Sequence, residues 1–471
     1  MSETIPLIEF ETEYPKLYEI LVNGNPIYAA LRDGVNVAVN SGDSGGGSKL
    51  DSDAGGVSVR RIIDSFFKLK RLKKVKTLIF TSSVYRRDKG RNLAAEYLMD
   101  KYPDAVVFEW PSRNESFDFA YFKDALKDKY CPLEWYLIKF KLYMLLHKKE
   151  YNRCCDECRA KLAEIFPENT ESLPENHRRA IEYIKAEMPN SYAVTVISQS
   201  IFRKIFKKYQ NIEFAVDFWG SARENIIPVL PGKPQSVELQ HGIITKIHPG
   251  YIYPKYVNDL ELDFFKRTLL VYGNKTKEML TEDSIFDPDK VEVIGNPRII
   301  KYKQEFNVVE EERNLILFTS QPYEQDGVGK EYYTTVIGFL AEIENYITKN
   351  KELQKYKLAV KLHPRETNHA IEIYNRSLPE IPVYDNTSEL YELINSSYIQ
   401  ITASSTSLYE AAELGVPTVI IEYEKDINSI YGFTPLVIKQ NNIGNVLDIV
   451  FSPERYKAYL IEVQKKTKEY M

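Results

Sequence analysis

The sequence has few of the features that mark secreted, membrane-spanning or metal-binding proteins. Its 471 residues include only four cysteines and three tryptophans. No apolar run approaches the length needed to span a bilayer. Residues 1–14 are polar and acidic, unlike a signal peptide. We therefore expect a soluble cytoplasmic protein, or one that lies peripherally on the inner face of a membrane.

The cysteines give little reason to expect a metal. Cys155 and Cys158 have C-x-x-C spacing, and Cys131 and Cys154 are the other two. A structural zinc site needs four ligands. Neither a second C-x-x-C pair nor a histidine at suitable spacing accompanies this one. We predict reduced thiols and no bound metal.

The net charge of −5 gives no reason to expect a nucleic-acid partner. Basic residues are nevertheless concentrated in three stretches, 66–76, 139–153 and 202–208. A solvated helix face is the usual explanation of one such stretch. Three of them in the first half of a net-acidic chain suggest attraction to an anionic membrane surface. Both interpretations stay open.

Short apolar runs alternate with helical patterns along the chain, which is typical of an α/β protein with parallel sheets. Residues 18–31 predict a helix or a strand pair, and the Gly- and Ser-rich residues 41–56 predict a connector. Further strands and helices are predicted at 77–80, 91–101, 105–108, 178–187, 214–216, 236–239, 314–318, 332–350, 357–362 and 453–468. We expect two domains, residues 1–300 and 301–471, and we expect the two to be alike in architecture.

The stretch from Ile401 to Glu422 predicts a strand, a hydroxyl-rich turn, a helix that ends at Gly415 and a second strand. Residues 404–407 are good N-cap candidates, and the helix start that they cap could hold a phosphate without a metal. Glu410 lies about one and a half turns into the helix, within reach of a sugar hydroxyl. An ordinary βαβ unit with a well-capped helix is the alternative.

Three predicted turns follow the carboxyl ends of strands, where ligands bind in open α/β sheets. They are Ser320-Gln321, His363-Pro364-Arg365 and Ser404-Ser405-Thr406. His363 and Arg365 offer a ring N–H and a fork of donors that suit phosphate oxygens, and Pro364 fixes their turn. Alternatively, His363 only ends a strand and Arg365 is solvated.

His241 is the strongest candidate for a general base, because histidine accepts a proton near neutral pH. Gly242 beside it allows a substrate to approach the backbone. The loop that follows offers Lys246 and Tyr251 as charged and aromatic surface for a sugar acceptor. His248 belongs to a second His-Pro pair, which no strand directly precedes.

Parts of the chain between residues 210 and 425 resemble bacterial capsule-type glycosyltransferases with the GT-B fold, in which two Rossmann-like domains face each other across a cleft. That group includes polysialyltransferases, lipooligosaccharide sialyltransferases, capsule Kdo transferases and teichoic-acid glycerophosphotransferases. Residues 1–200 show no such resemblance. The blocks that carry it are Glu238–Gly242, Val293–Arg298, Lys361–Pro364, and Ser404–Thr406 with Tyr409–Ala411.

The resemblance implies a metal-independent, inverting glycosyltransferase with no cofactor besides its nucleotide-sugar donor. A CMP-sugar of sialic acid or Kdo is the expected donor, and a cell-surface glycan or glycolipid is the expected acceptor. The His-Pro and serine motifs would hold the nucleotide phosphate, and Glu410 the ribose. His241 stands where the sialyl- and Kdo-transferases carry a carboxylate. The Arg32-Asp33-Gly34 segment resembles their acidic motif but lies far too early in the chain.

Three other functions remain open at this point. A CDP-polyol phosphotransferase is favoured by His241, since teichoic-acid polymerases have a His-Gly there. A UDP-sugar epimerase shares the fold, but it would need several carboxylates in the first domain, which the sequence pattern does not identify. A non-catalytic glycan-binding scaffold is the third alternative.

Overall fold

The computed structural model describes most of the chain, and the statements below concern that part. The predicted connector at 41–56 and Ser404 lie outside the described residues. The described ranges are 5–40, 59–71, 75–82, 91–110, 129–209, 211–218, 221–306, 313–322, 331–385, 388–403, 405–423, 436–439 and 441–470. They fall into two compact units, the first from residues 1–85, 98–271 and 276–294, and the second from 86–97, 272–275 and 295–471.

Short strands alternate with helices in both units. The strands are β1 (Leu21–Val22), β2 (Asn25–Pro26), β3 (Thr77–Ser82), β4 (Ala105–Trp110), β5 (Tyr130–Pro132), β6 (Phe214–Asp217), β7 (Gln235–Leu239), β8 (Thr268–Val271), β9 (Val291–Val293), β10 (Leu315–Thr319), β11 (Lys357–Lys361), β12 (Val383–Tyr384), β13 (Ser397–Thr402), β14 (Thr418–Ile421) and β15 (Leu436–Ile438). The helices are α1 (Pro6–Glu13), α2 (Arg32–Asn40), α3 (Val59–Arg71), α4 (Leu93–Lys101), α5 (Glu134–Leu146), α6 (Lys148–Ile165), α7 (Glu175–Phe206), α8 (Ser221–Asn225), α9 (Asn274–Glu282), α10 (Pro297–Glu305), α11 (Tyr332–Lys349), α12 (Asn368–Ser377), α13 (Leu390–Asn395), α14 (Ser407–Glu413), α15 (Ile443–Phe451) and α16 (Pro453–Tyr470).

The main sheet of the first unit has seven parallel strands in the order β5-β4-β3-β6-β7-β8-β9. Its central strands are apolar on both faces and buried, as parallel strands covered by helices must be. The strand pair predicted within residues 18–31 is the antiparallel hairpin β1-β2. Its turn uses Asn23 and Gly24, both at positive φ, which suits a tight two-residue loop.

The four cysteines are packing residues of the first unit. Cys154, Cys155 and Cys158 lie on α6 and face the core. Cys131 lies on β5 in a second apolar cluster. All four are buried and unpaired with one another. Among the described residues, no group of histidine, cysteine, aspartate and glutamate side chains has the arrangement of a metal site.

The sheet of the second unit has six parallel strands in the order β12-β11-β10-β13-β14-β15. In the registers of this sheet, Thr319 at the end of β10 pairs with Lys361 of β11 on one side and Thr402 of β13 on the other. The three turns predicted to carry ligand-binding residues therefore leave neighbouring strands at the same sheet edge. Both units are Rossmann-like, and the α/β class expected of a GT-B chain is confirmed.

The helix that begins after the third turn ends as the sequence predicts. Gly415 has a φ of 74°, which glycine adopts without strain. Its N–H donates to the carbonyl of Ala412, and the N–H of Val416 donates to that of Ala411. None of the helices in the described ranges is long and apolar enough to cross a bilayer.

Substitution by alanine should have opposite effects on stability at two glycines of the second unit. A Cβ at Gly273 would overlap the backbone of Glu469 and Tyr470, so Gly273→Ala should displace the end of α16 and lower the melting temperature. Gly338 lies within α11, where a Cβ meets open space. Gly338→Ala should raise stability by about 0.5–1 kcal/mol. Thermal unfolding of both variants checks this, and a loss in both would contradict the packing described for Gly338.

Candidate functional site

The hydroxyl-rich turn after β13 is held in place by the hydrogen bonds of a buried side-chain amide. Gln400 of β13 donates to Thr319 Oγ1 (2.9 Å) and Ser407 Oγ (2.6 Å), and it accepts from Thr418 Oγ1 (3.0 Å). These partners belong to β10, α14 and β14. One fully buried side chain therefore fixes the turn against two strands and a helix. Sequence reasoning missed Gln400, because a single polar residue within an apolar strand gives no periodic signal.

The cap of α14 differs in detail from the prediction. The N-cap residue is Thr406, which has helical φ and ψ and makes no side-chain cap bond. Ser405 does this instead, because its Oγ accepts from the N–H (3.2 Å) and the hydroxyl (2.9 Å) of Ser407. The helix has only seven residues. Any phosphate at this turn would therefore depend on side-chain donors more than on a helix terminus.

Glu410 is held within the second unit by residues of the Gly295–Arg298 segment. Its Oε1 accepts from Tyr391 OH (2.9 Å), Arg298 Nη1 (3.4 Å) and Asn296 Nδ2 (3.5 Å). Asn296 also caps α10 through its Oδ1, and the Arg298 guanidinium lies 4.7 Å from the centre of the Tyr391 ring. This segment, which the sequence singled out only by resemblance, thus orients Glu410. The predicted contact of Glu410 with a ribose stays a prediction.

The His-Pro turn after β11 fixes one tautomer of its histidine. Nδ1 of His363 accepts from the backbone N–H of Arg365 (3.1 Å). A neutral His363 must then carry its proton on Nε2, as a hydrogen-bond donor. The His363 side chain is partly exposed and Arg365 is exposed. The turn therefore carries a ring N–H donor on His363 and a guanidinium on Arg365, and the contact of His363, Pro364 and Arg365 with a donor phosphate stays a prediction.

Glu366 connects this turn to the turn after β10, and sequence reasoning did not assign it a role. Its Oε2 accepts from the backbone N–H of His363 (2.6 Å). Its Oε1 accepts from Ser320 Oγ (2.9 Å) and Tyr333 OH (2.9 Å). Burial raises the pKa of Glu366 to about 7, although these three donors and Lys361 act to lower it. The signal available in the sequence was a glutamate directly after the His-Pro-Arg turn.

Ser320 is an internal residue rather than a surface one. Its side chain is 2% exposed, and its Oγ lies 3.0 Å from Tyr374 OH in addition to its bond with Glu366. The backbone N–H of Gln321 donates to Tyr332 OH (2.8 Å). The structure thus shows Ser320 and Gln321 anchored by tyrosines. Their direct contact with a donor stays a prediction.

In the first unit, His241 lies two residues after the end of β7 and beside Tyr251. The Tyr251 hydroxyl is 3.5 Å from His241 Nδ1 and donates to Glu238 Oε1 (2.8 Å). Tyr251 is buried, so the structure places it beneath the histidine rather than on an acceptor-facing surface. Gln240 bonds the carbonyl of Gly242 (2.8 Å), and a Cβ at Gly242 would meet open space.

The histidine lies near a buried cluster of charges. Glu238 accepts from Arg223 Nη1 (2.7 Å) and from Arg267 Nε. Burial alone would raise the pKa of Glu238, but the two guanidiniums and the Tyr251 hydroxyl lower it to about 2. Desolvation lowers the pKa of His241, although the carboxylate of Glu238 acts in the opposite direction. The lowered pKa favours the neutral imidazole, which can accept a proton.

The early Arg32-Asp33-Gly34 segment lies next to the His241 loop, so its position in the sequence was misleading. Arg32 is buried, pairs with Glu11 (2.6 Å) and donates to the carbonyls of Pro249 and Ile252. The charge of Asp33 acts to raise the pKa of His241. The segment is therefore close to the His241 loop in space, although it lies far too early in the chain to match the acidic motif by position.

Further ionisable groups surround the same loop. Nδ1 of His248 accepts from the N–H of Gly250 (3.1 Å), and burial lowers the pKa of His248 to about 4. Burial raises the pKa of Glu224 to about 7, with the charges of Asp217, Glu238 and Asp33 in the same direction and Arg223 opposed. Carboxylates that the sequence pattern did not identify are thus grouped in the first unit. Lys246 is instead an exposed residue, 3.2 Å from Asp283.

Comparison with known proteins shows structural likeness only. No protein-family model and no curated protein matches the sequence. Wall teichoic acid polymerase TagF is 13% identical over 88% of this chain and 93% of its own, with a TM-score of 0.43. UDP-GlcNAc 2-epimerase from Methanocaldococcus jannaschii is 12% identical over 81% and 94%, with a TM-score of 0.47. A putative UDP-N-acetylglucosamine 2-epimerase from Listeria monocytogenes is 13% identical over 84% and 90%, with a TM-score of 0.45.

The raised pKa of Glu366 predicts a pH-dependent contribution to stability. The folded-state value of about 7 lies above the ordinary value of 4.5, so the folded protein holds this proton more tightly. That stabilisation, about 3 kcal/mol, is complete below about pH 4.5 and is lost as the pH rises through about 7. Glu366→Gln should remove this contribution to the pH dependence of the melting temperature, measured between about pH 5 and about pH 8.

The exposed Glu372 on α12 provides the matched control for that experiment. Glu372→Gln should keep the wild-type dependence of melting temperature on pH. Equal pH dependence in Glu366→Gln and the wild type would show that Glu366 is ionised throughout this range.

Glu238→Gln should destabilise the first unit strongly, because it leaves the buried guanidiniums of Arg223 and Arg267 without their carboxylate. Breaking such a buried pair costs about 3–5 kcal/mol. Denaturant unfolding followed by tryptophan fluorescence measures the loss. Glu213→Gln is the control, since Glu213 pairs with Lys76 on the exposed surface, and it should unfold with the wild type. Equal unfolding of both variants would contradict a stabilising role for Glu238.

Proposed function

We propose that this protein is a metal-independent, inverting glycosyltransferase that moves a sugar from a nucleotide donor to a glycan acceptor. The donor binds at the carboxyl edge of the second unit's sheet, and His241 of the first unit is the general base. The observation that carries the proposal is the His363-Pro364-Arg365 turn. It follows β11, the Ser405-Thr406 turn follows β13, and these two strands flank β10, so both turns leave the same edge of one sheet. The bond that His363 Nδ1 accepts from the N–H of Arg365 leaves the ring proton of a neutral His363 on Nε2.

The chemistry requires charge stabilisation on the leaving group. As the bond from the anomeric carbon to the phosphate oxygen breaks, negative charge grows on the nucleotide phosphate. Arg365 and the His363 ring N–H stabilise that charge, assisted by the hydroxyls of Ser405 and Thr406. Because Glu366 and Gln400 fix these turns, the donors need little reorganisation during the reaction.

The acceptor hydroxyl attacks the anomeric carbon as His241 removes its proton. Attack in line with the departing phosphate inverts the anomeric configuration. A neutral imidazole is required, and the lowered pKa of His241 supplies it at neutral pH. The Tyr251 hydroxyl lies 3.5 Å from His241 Nδ1 and donates to Glu238, so a proton taken up by His241 comes to lie near a fixed anion.

The identity of the donor rests on the sequence resemblance. A CMP-sugar of sialic acid or Kdo is proposed, with Glu410 on the ribose and a cell-surface glycan or glycolipid as acceptor. The supporting observation for Glu410 is its fixed orientation by Asn296, Arg298 and Tyr391 at the start of α14. A CDP-polyol donor would use the same turns, so experiments must identify the nucleobase of the donor and the group that is transferred.

A thermal-shift panel of CMP, CDP, UDP and GDP tests the donor site, since a ligand of the folded state raises the melting temperature. Cytidine nucleotides should give the largest shift. Arg365→Ala should weaken the binding of that nucleotide about 10- to 100-fold, as expected for loss of a charge-assisted hydrogen bond. Arg376→Ala, on the exposed face of α12, is the control and should bind like the wild type. A preference for UDP would refute the CMP-sugar proposal.

His241→Ala should lower the transfer rate about 10²- to 10⁴-fold and leave the nucleotide-induced shift unchanged. Transfer is measured with a CMP-sugar and a glycan acceptor, by release of CMP and by mass spectrometry of the product. Unchanged transfer in the variant would remove His241 from the mechanism. Nucleotide binding without any transfer by the wild type would favour a glycan-binding scaffold.

An epimerase is the second candidate, because the structure groups carboxylates near His241. Asp33, Asp217 and Glu224 supply the acidic side chains that this alternative requires, and the pKa of Glu224 is raised to about 7 by burial and by the other carboxylates. Such an enzyme would convert a UDP-sugar without any acceptor. Incubation with UDP-N-acetylglucosamine alone, followed by NMR of the sugar, distinguishes the two activities.

A further inference from the structure

Three basic stretches that are far apart in sequence come together around α5 in the first unit. Phe66 of α3 packs edge-on against Trp135 of α5, with ring centres 5.2 Å apart. Lys204 near the end of α7 lies 6.0 Å from the ring centre of Tyr143 on α5. Helix α6 begins directly after His147, which follows the last residue of α5. The fold therefore brings parts of the three stretches close together, although more than a hundred residues of sequence separate the first from the last.

An apolar stripe runs along α5 at the centre of this region. Trp135, Ile138, Leu142 and Leu145 follow one another at helical spacing and so share a face. The last turn of the helix is open to solvent, with exposed fractions of 55% for Leu142, 79% for Leu145 and 70% for Leu146. Single exposed leucines are common on soluble proteins, but three within one turn and a half mark an interaction surface.

Helix α3 extends the apolar surface next to Trp135. Ile63 and Phe67 lie one turn apart on that helix, and each is 51% exposed. Phe67 also contacts the ring of Phe66, which packs on Trp135. The apolar surface therefore involves two neighbouring helices rather than one helix end.

Lysines surround the leucines. Lys139, Lys141, Lys148 and Lys149 are all exposed. Lys139 lies over the Trp135 ring, with its Nζ 5.4 Å from the ring centre. Residues 139–153 contain five basic side chains and one acidic side chain, in a protein whose net charge is −5. Positive charge is thus concentrated around the apolar surface.

We propose that this surface, the α5 face, docks on an anionic phospholipid bilayer. The α5 face consists of Leu142, Leu145 and Leu146 with Lys139, Lys141, Lys148 and Lys149. The leucines enter the boundary between headgroups and acyl chains, and the lysines contact lipid phosphates. The inference is independent of the proposed transfer reaction.

A bilayer fits the α5 face better than a second copy of the chain does. In a two-fold dimer through this face, the lysines of both copies would approach one another, and like charges repel. An anionic bilayer supplies the opposite charge over the whole rim together with an apolar layer at the depth of the leucines.

Co-sedimentation of the full chain with lipid vesicles tests the proposal. We expect binding to vesicles of equal parts phosphatidylglycerol and phosphatidylcholine, weaker binding to pure phosphatidylcholine, and loss of binding as salt rises. Replacing Leu142, Leu145 and Leu146 together by serine should lower the partition coefficient about tenfold or more. Lys148→Gln with Lys149→Gln should lower it about fivefold for each lysine.

Matched controls come from α16 of the second unit. Ile461 is 59% exposed, and Ile461→Ser should bind vesicles like the wild type. Lys457→Gln with Lys465→Gln removes two exposed lysines from the same helix and should also have no effect. Unchanged melting temperatures confirm that all variants are folded.

Two results would overturn the proposal. One is equal vesicle binding by the wild type and the leucine variant, which would place the lipid contact elsewhere. The other is absence of vesicle binding together with a dimer in light scattering that the leucine substitutions dissociate. That result would identify the α5 face as an interface between two copies of this chain.

Discussion

A single buried carboxylate determines how two turns of the second unit are held. Glu366 accepts hydrogen bonds from the backbone of His363 and from the hydroxyl of Ser320, so the ends of β11 and β10 are tied to one side chain. A phosphate-binding site made of loops gains most when its donors are already in place before the charge develops. The tyrosines around Ser320 complete this support, and the backbone N–H of Arg365 fixes the His363 ring by donating to its Nδ1.

Each unit thus places a carboxylate beneath its candidate site, but the two carboxylates differ in protonation. Burial opposes ionisation in both. Glu238 has two guanidiniums within bonding distance and stays ionised, with a pKa of about 2. Glu366 has hydroxyls, a backbone N–H and only the charge of Lys361, so its pKa rises to about 7. The number of adjacent cations decides the outcome.

The sequence predicted the parts of the fold that give periodic or positional signals. Apolar runs located the central strands, and their carboxyl ends located the turns with His363, Ser405 and His241. Buried polar residues were not predictable in this way. Gln400 interrupts an apolar strand without changing its pattern, and the bonds of Ser320 and Tyr251 depend on partners far away in sequence.

The same limit explains why the first forty residues were not connected with His241. Sequence separation is a poor guide to distance once a buried ion pair fixes two segments together. Arg32 is held by Glu11 and binds the carbonyls of Pro249 and Ile252, so the loop that carries His248 is built on the start of the chain. A substitution in this early segment therefore acts directly on the environment of His241. Residues that resemble no known family can in this way adjust the proton affinity of the candidate base.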